Sequence, residues 1–263
     1  MLALVREVSP RLAQCELSHL ERAAIDPARA RRQHQEYVAA LQTLDCRLEW
    51  LAPLPEHADG VFVEDTAVIL PEVAVLTRPG AASRRGETDT VAQALAPHVA
   101  VVSITAPGSL EGGDVLQIGR TLYVGASARS NAAGAAQLAA ALERFGYRVE
   151  TVGFAGCLHL KSACTFIPPD VLLVNPAWVE PRMFDARVVI EVAAGESYGA
   201  NTLTIGATTL VSSAYPQTRR RLEDAGVTTR ALDISELHKA EAALTCMSLL
   251  LEAAAWTPGD ARR

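Results

Sequence analysis

No stretch of this chain is apolar for long enough to cross a bilayer. The opening residues, Met1 to Val8, break into charge at once. They lack the basic, apolar and small-residue order of a signal peptide and read better as a first strand. Basic residues are not in excess: 24 Lys and Arg stand against 30 Asp and Glu, a formal net charge of -6. That balance gives no reason to expect a nucleic acid partner, and it fits a small cationic substrate only weakly. The cysteines are Cys15, Cys46, Cys157, Cys164 and Cys246, an odd and scattered set with no CxxC pair. This argues against a disulfide framework or a zinc site and for a reducing cytoplasm. Nor does any Ser/Gly linker or low-complexity stretch divide the 263 residues, so 1–263 reads as one domain.

What is present is an alternating α/β pattern, with 49% hydrophobic and 21% charged residues, enough for a sizeable core. A helix is predicted from about Pro27 to Leu44, with Asp26 as N-cap and Pro27 at its first position. Tyr37, Val38, Leu41 and Leu44 recur along it at helical spacing. Further helices are predicted from Gly86 to Ala96, from Ser130 to Phe145 before Gly146, and from Pro216 towards Gly226. Between them lie runs of strand character: 67–70, 73–77, 99–104, 115–118, 121–124, 171–174, 202–205 and 208–211.

Polar landmarks punctuate these runs. Glu64, Glu111, His159, Asn201 and Cys246 follow one another at intervals of 47, 48, 42 and 45 residues. Each lies close to an apolar strand, and Gly112, Gly113 and Gly199 permit close backbone approach beside two of them. A repeat of about 45 residues suggests similar units, each supplying a polar group to a common centre. Any alternating α/β chain could show the same period, so spacing leaves both readings open.

The landmark residue types suggest covalent chemistry on a cation. A carboxylate orients a histidine, the histidine serves as acid or base, and a cysteine attacks an electrophilic carbon. Glu64 and Asp65 add adjacent carboxylates. Neighbours on a strand point to opposite faces, so both reach one pocket only if the strand ends or turns there. Asp65 is the stronger candidate. Taken alone, Cys246 in its apolar run also reads as an inert core thiol. Carboxylates folded close to Cys246 would disfavour a second negative charge, so it should then stay a thiol until a cation arrives. The histidines at 19, 34, 57, 98 and 238 read as structural, as does Asn201.

Several segments carry a resemblance: Phe62-Val-Glu-Asp65, Thr77-Arg-Pro-Gly-Ala81 with Ser83-Arg-Arg85, Glu111-Gly-Gly-Asp114, Ser127-Ala-Arg-Ser-Asn131, Leu158-His-Leu-Lys161, Gly199-Ala-Asn201 and Leu244-Thr-Cys-Met-Ser248. In order, and over nearly the whole chain, they resemble the dimethylarginine dimethylaminohydrolases. These are guanidino-group-modifying enzymes with the α/β, five-bladed α/β-propeller (pentein) fold, whose pseudo-fivefold repeats surround a central active site. Arginine deiminases of the same superfamily typically carry His-Leu-Asp where this chain has His159-Leu160-Lys161.

The resemblance implies hydrolysis of Nω-methylated arginines to L-citrulline and dimethylamine or methylamine, through a Cys246 thiouronium. Cys246 would be the nucleophile, His159 the acid and base, and Glu111 its orienting partner. Asp65 and Glu64 would receive the guanidinium, and Asp59 the α-amino group. Arg84 and Arg129 would clamp the α-carboxylate, while Leu17 and Ala240 contribute through backbone carbonyls. No cofactor or metal is implied, and a homodimer stays open. The family often shows a hydrophobic residue followed by Asp-Gly before the cysteine; here the stretch is Lys239-Ala-Glu-Ala-Ala243. That departure bears on substrate preference. A deiminase releasing ammonia, or a non-catalytic binder of arginine-like ligands, is the alternative.

Overall fold

The computed structural model describes residues 1–252. Asp26 caps the first helix as the sequence predicts: its Oδ1 accepts from Ala28 N at 2.9 Å and Arg29 N at 3.1 Å. With Pro27 at the first position, that helix, α1, spans Pro27–Thr43. It lies between two strands of one sheet, β1 (Leu2–Val5) and β2 (Arg47–Trp50), which pair in parallel. A parallel pair needs such a crossover, since a tight turn can join only antiparallel strands.

The next four blades follow one rule, an antiparallel hairpin and then a crossover to a third, parallel strand. The second blade joins β3 (Ala67–Ile69) and β4 (Ala74–Leu76), then crosses through α2 (Thr88–Leu95) to β5 (Val101–Ser103). The third joins β6 (Val115–Ile118) and β7 (Thr121–Ala126), then crosses through α3 (Ala132–Leu142) to β8 (Arg148–Gly153). After a one-turn helix, α4 (Leu160–Ala163), the fourth joins β9 (Cys164–Ile167) and β10 (Val171–Val174). It reaches β11 (Val188–Glu191) through a short 3-10 turn rather than an α-helix. The fifth joins β12 (Leu203–Ile205) and β13 (Thr208–Ser212), then crosses through α5 (Pro216–Asp224) to β14 (Thr229–Leu232).

After a second one-turn helix, α6 (Ser235–His238), the strand β15 (Leu249–Leu251) pairs antiparallel with β1, Leu2 opposite Leu251 and Leu4 opposite Leu249. That pairing gives the first blade the same three-strand form. The result is a five-bladed α/β-propeller, five three-stranded sheets among the described residues.

Each polar landmark sits in the turn that opens a blade. Val63–Thr66 precedes β3, and Gly112–Asp114 precedes β6. His159 is the residue before α4, Ser197–Ala200 precedes Asn201 and β12, and Thr245–Met247 precedes β15. The interval near 45 residues is therefore the blade period. Buried apolar residues fill the layers between sheets and helices, with Ala30, Tyr37 and Leu41 of α1 facing Val5, Ile234 and Leu244 in one such cluster. Among the described residues no helix is long and apolar enough to cross a membrane.

The predicted helices shorten at their ends. Asn131 caps α3 by accepting from Gly134 N at 2.8 Å, so the helix begins at Ala132 rather than Ser130. Its last turn tightens to 3-10 through Phe145 and stops at Gly146, whose φ is 76°. Six strands were not predicted: β2, β8, β9, β11, β14 and β15. All six lie at an edge of their sheets; β2 and β8 mix charged with apolar residues, and β11, though apolar over Val188–Ile190, is short and largely exposed.

Candidate active site

The five opening turns converge, and each divides its neighbouring side chains between two sides. Asp65, His159 and Cys246 line one narrow cavity, together with Asp59, Phe62, Arg84, Arg129, Ala240 and Glu241. Glu64, Lys161 and Thr245 line a different and larger opening of about 290 Å³. The turn at Val63–Thr66 is 3-10, not strand, which places adjacent Glu64 and Asp65 in separate surroundings.

His159 is buried between carboxylates. Its Nε2 meets Glu111 Oε2 at 2.7 Å, and its Nδ1 lies 3.8 Å from Asp65 Oδ1. Burial alone would lower its affinity for a proton. Asp65, Asp114 and Glu111 outweigh that and hold the imidazolium up to about 9. Glu111 is itself held in place, accepting from Gly80 N at 3.1 Å and Arg129 Nη1 at 3.4 Å. Two glycines permit this density. A Cβ on Gly112 would lie 2.0 Å from Glu64 O, and one on Gly113 would lie 2.5 Å from His159 Nδ1.

Asp65 accepts from Gly113 N at 3.0 Å and from Arg84 Nη1 at 2.6 Å. Burial opposes its ionisation, but His159 and Arg84 prevail and lower it to about 2. Arg84 is clamped from behind by Glu87, with Nη2 to Oε2 at 2.9 Å, and donates to Phe62 O at 2.9 Å. Its guanidinium thus rests on the carboxylate expected to receive a substrate guanidinium. Asp59 is raised to about 6 by burial, and accepts from Glu16 N at 3.1 Å.

Cys246 lies in the turn Thr245–Met247, where its Sγ accepts from Ala243 N at 3.3 Å. Burial pushes the thiol up, and Glu64 and Asp65 push it further. All five cysteines are free thiols. The other four, Cys15, Cys46, Cys157 and Cys164, are buried, and burial raises all of them as well.

Three expected positions do not line this cavity: Glu111, fully buried against His159, and Glu64 and Leu17. Glu64 Oε1 accepts from Lys161 Nζ at 2.5 Å and its Oε2 from Thr245 Oγ1 at 2.7 Å, so its carboxylate is engaged on the other side of the turn. Leu17 is half-buried and packs against the core. Asn201 ties two turns together: its Nδ2 donates to Lys161 O at 2.9 Å, and its Oδ1 accepts from Thr245 N at 3.1 Å.

Three residues escaped sequence reasoning. Asp114 accepts from Ser127, Ser130 and Leu160 N, which joins the Arg129 loop to the His159 turn. Its signal was present, a carboxylate ending Glu111-Gly-Gly-Asp114. Glu87 lay hidden in a polar run. Glu241 was visible only as a departure from a family pattern.

Asp65, Glu111 and His159 offer ligand atoms within 4.8 Å of one another, close enough to hold a metal ion. However, an imidazolium has no free lone pair, and both carboxylates already accept from cationic donors.

A thiol, a protonated imidazole and a line of carboxylates on the axis of a five-bladed α/β-propeller place the chain in the pentein class of guanidino-group-modifying enzymes. The family model described as "N,N dimethylarginine dimethylhydrolase, eukaryotic" matches residues 14–177. The chain belongs to the dimethylarginine dimethylaminohydrolase family. It is 40% identical over 252 residues to the N(G),N(G)-dimethylarginine dimethylaminohydrolase of Streptomyces coelicolor, covering 95% of this chain and 96% of that one. The protein of the same name from Pseudomonas aeruginosa is 37% identical over 226 residues, 85% of this chain and 89% of that one. A solved structure of the Pseudomonas aeruginosa enzyme, a mutant complexed with citrulline, superposes with a TM-score of 0.89 at 34% identity, over 94% of this chain and 98% of that chain.

Proposed function

We infer that this chain hydrolyses Nω-methylated arginines to L-citrulline and dimethylamine or methylamine. The observation that carries the reading is the buried His159–Glu111 pair beside Asp65, at the cavity that also holds Cys246.

In this reading the substrate guanidinium displaces Arg84 from Asp65 and brings a positive charge to Cys246. The charge offsets the carboxylates and favours the thiolate, and the thiol proton leaves to solvent. Sulfur attacks the central guanidinium carbon and forms a tetrahedral adduct. His159 gives its proton to the departing amine nitrogen, and the C–N bond breaks to leave a thiouronium on Cys246. Water then adds to that carbon and its proton returns to His159. The C–S bond breaks as the carbonyl forms and the remaining hydroxyl proton passes to sulfur, which releases the ureido group of citrulline and restores the Cys246 thiol. Arg84 and Arg129 are assigned to the α-carboxylate, Asp59 to the α-ammonium, and the Ala240 carbonyl to a supporting contact. We propose that residues 1–263 work as one catalytic unit in the cytoplasm, where a reducing environment keeps Cys246 free.

Lys161 supports a methylated substrate over arginine. Its ion pair takes Glu64 away from the cavity and leaves Asp65 as the acceptor between His159 and Arg84. Two methyl groups remove two of the five guanidinium N–H donors, so fewer acceptors are needed. The test is to incubate the protein with asymmetric dimethylarginine and, separately, arginine, and to measure citrulline and released amine. Dimethylamine with little ammonia upholds the reading. Ammonia mainly from arginine would make the chain a deiminase, and no citrulline from either would sink both.

A further inference from the structure

Glu241 lies one residue past Ala240 and five before Cys246, on left-handed backbone with a φ of 58°. Residues with a branched or long side chain seldom adopt that conformation. Here the side chain makes contacts that offset the strain. Its carboxylate accepts from three successive backbone N–H groups: Ser18 at 3.0 Å, His19 at 2.5 Å and Leu20 at 2.6 Å. Hydrogen bonds to an ionised acceptor are the strong kind, and three converge on one group.

The chain just before Cys246 fastens the same loop twice more. Lys239 Nζ donates to Ala24 O at 2.9 Å, and Glu236 Oε2 accepts from Asp26 N at 2.9 Å. The fastened loop in turn touches groups assigned to the amino-acid end of the substrate. Glu16 N donates to Asp59 Oδ2 at 3.1 Å, and Arg129 Nη2 donates to Ser18 Oγ at 3.2 Å. With the loop down, the cavity measures about 20 Å³, room for about one water. A cavity of that size does not admit an amino acid while residues 16–20 rest on Asp59 and Arg129.

We propose that Glu241 is a positioning residue that latches residues 16–20 over the α-end of the site, and so sets the preference for substrates with a free α-amino acid head. This rests on the functional reading above only for which end of the substrate lies there. A substrate lacking the carboxylate gains nothing from Arg129 under the closed loop, whereas one that carries it exchanges Ser18 for a stronger partner and lets the latch reclose.

The test uses Glu241→Gln, which keeps size but removes charge, and Glu241→Asn, which suits left-handed backbone and shortens the reach. Amide hydrogen exchange at Ser18–Leu20 is measured in the whole protein. Alongside it, KM and kcat are measured for asymmetric dimethylarginine and for its decarboxylated analogue. In both variants exchange at Ser18–Leu20 should quicken at least about tenfold while α1 is unchanged. KM for the amino acid should rise about fivefold or more with kcat within about twofold, and the preference over the analogue should narrow by the same factor. Unchanged exchange in both variants would overturn the latch, as would an equal fall in kcat for both substrates with KM unmoved. Should the unmodified protein turn over neither substrate, the functional reading falls, and the exchange rates, which need no turnover, still decide whether Glu241 holds the loop.

Discussion

His159 Nε2 lies 2.7 Å from Glu111 Oε2, with both side chains buried. That carboxylate does two things for the imidazole. It fixes the ring's direction, and it helps hold the proton up to about 9. Glu111→Gln keeps the shape and removes the charge. The His159 proton should then leave at lower pH, so the alkaline limb of kcat, expected near pH 9, should move down by about one unit. At neutral pH kcat should fall about 100-fold. A pH–rate profile of the two proteins checks both numbers; an unmoved alkaline limb would mean Glu111 does not set the His159 proton.

The same pair gives stability an alkaline edge. His159 is raised from 6.5 to about 9 in the folded protein, so its contribution is whole below pH 6.5 and is lost as pH climbs through 9. Asp65 runs the other way. Lowered from 3.8 to about 2, it contributes above pH 3.8 and loses that contribution as pH falls towards 2. Asp59, raised from 3.8 to about 6, contributes below pH 3.8 and loses that as pH rises through 6. Melting temperatures from pH 3 to 10 should therefore fall at both ends, and Asp59→Asn should remove a loss between about pH 4 and 6. No change in that interval would contradict the burial cost assigned to Asp59.

Cys246 gives a ligand-dependent prediction. With burial, Glu64 and Asp65 all disfavouring the thiolate, the empty site should alkylate slowly at neutral pH. A non-reacting guanidinium ligand should lower the apparent pKa of alkylation by a neutral reagent that still reaches the sulfur. A constant or higher apparent pKa with the ligand bound would count against activation by the substrate.

Asn201 tests the coupling between turns. Asn201→Ala leaves Thr245 N and Lys161 O without the partners they have across the axis. The protein should lose about 1–3 kcal/mol by urea denaturation, the penalty for stranded buried polar groups. Because Thr245 adjoins Cys246, kcat should also fall, while Asn201→Asp should restore the acceptor for Thr245 N but not the donor for Lys161 O. A variant as stable and active as the parent would show that the tie is incidental.

Much of this architecture was readable in one dimension because it is local or periodic. The Asp26-Pro27 cap, the Gly146 stop and the inner strands follow from neighbouring residues alone. Blade repetition wrote the polar landmarks at nearly even intervals. The edge strands were less readable, since a sheet edge needs backbone pairing rather than an apolar run, as β2 and β8 illustrate. Within the site, the residue types at Glu111, His159 and Cys246 declared a chemistry, whereas which carboxylate faces which side did not. A strand pattern cannot say that Val63–Thr66 curls into a 3-10 turn and sends Glu64 to Lys161.

By itself, then, the amino-acid order determined the α/β alternation, the places of the helices and the set of groups able to attack and protonate a guanidinium, because those depend on spacing and side-chain chemistry. Tertiary structure alone decided the partnerships. Arg84 rests on Asp65, Asp114 joins the arginine loop to the histidine turn, and Glu241 holds a loop more than two hundred residues away in sequence. Those contacts join turns from different parts of the chain, and electrostatic and hydrogen-bond energies depend on distance in space rather than along the chain.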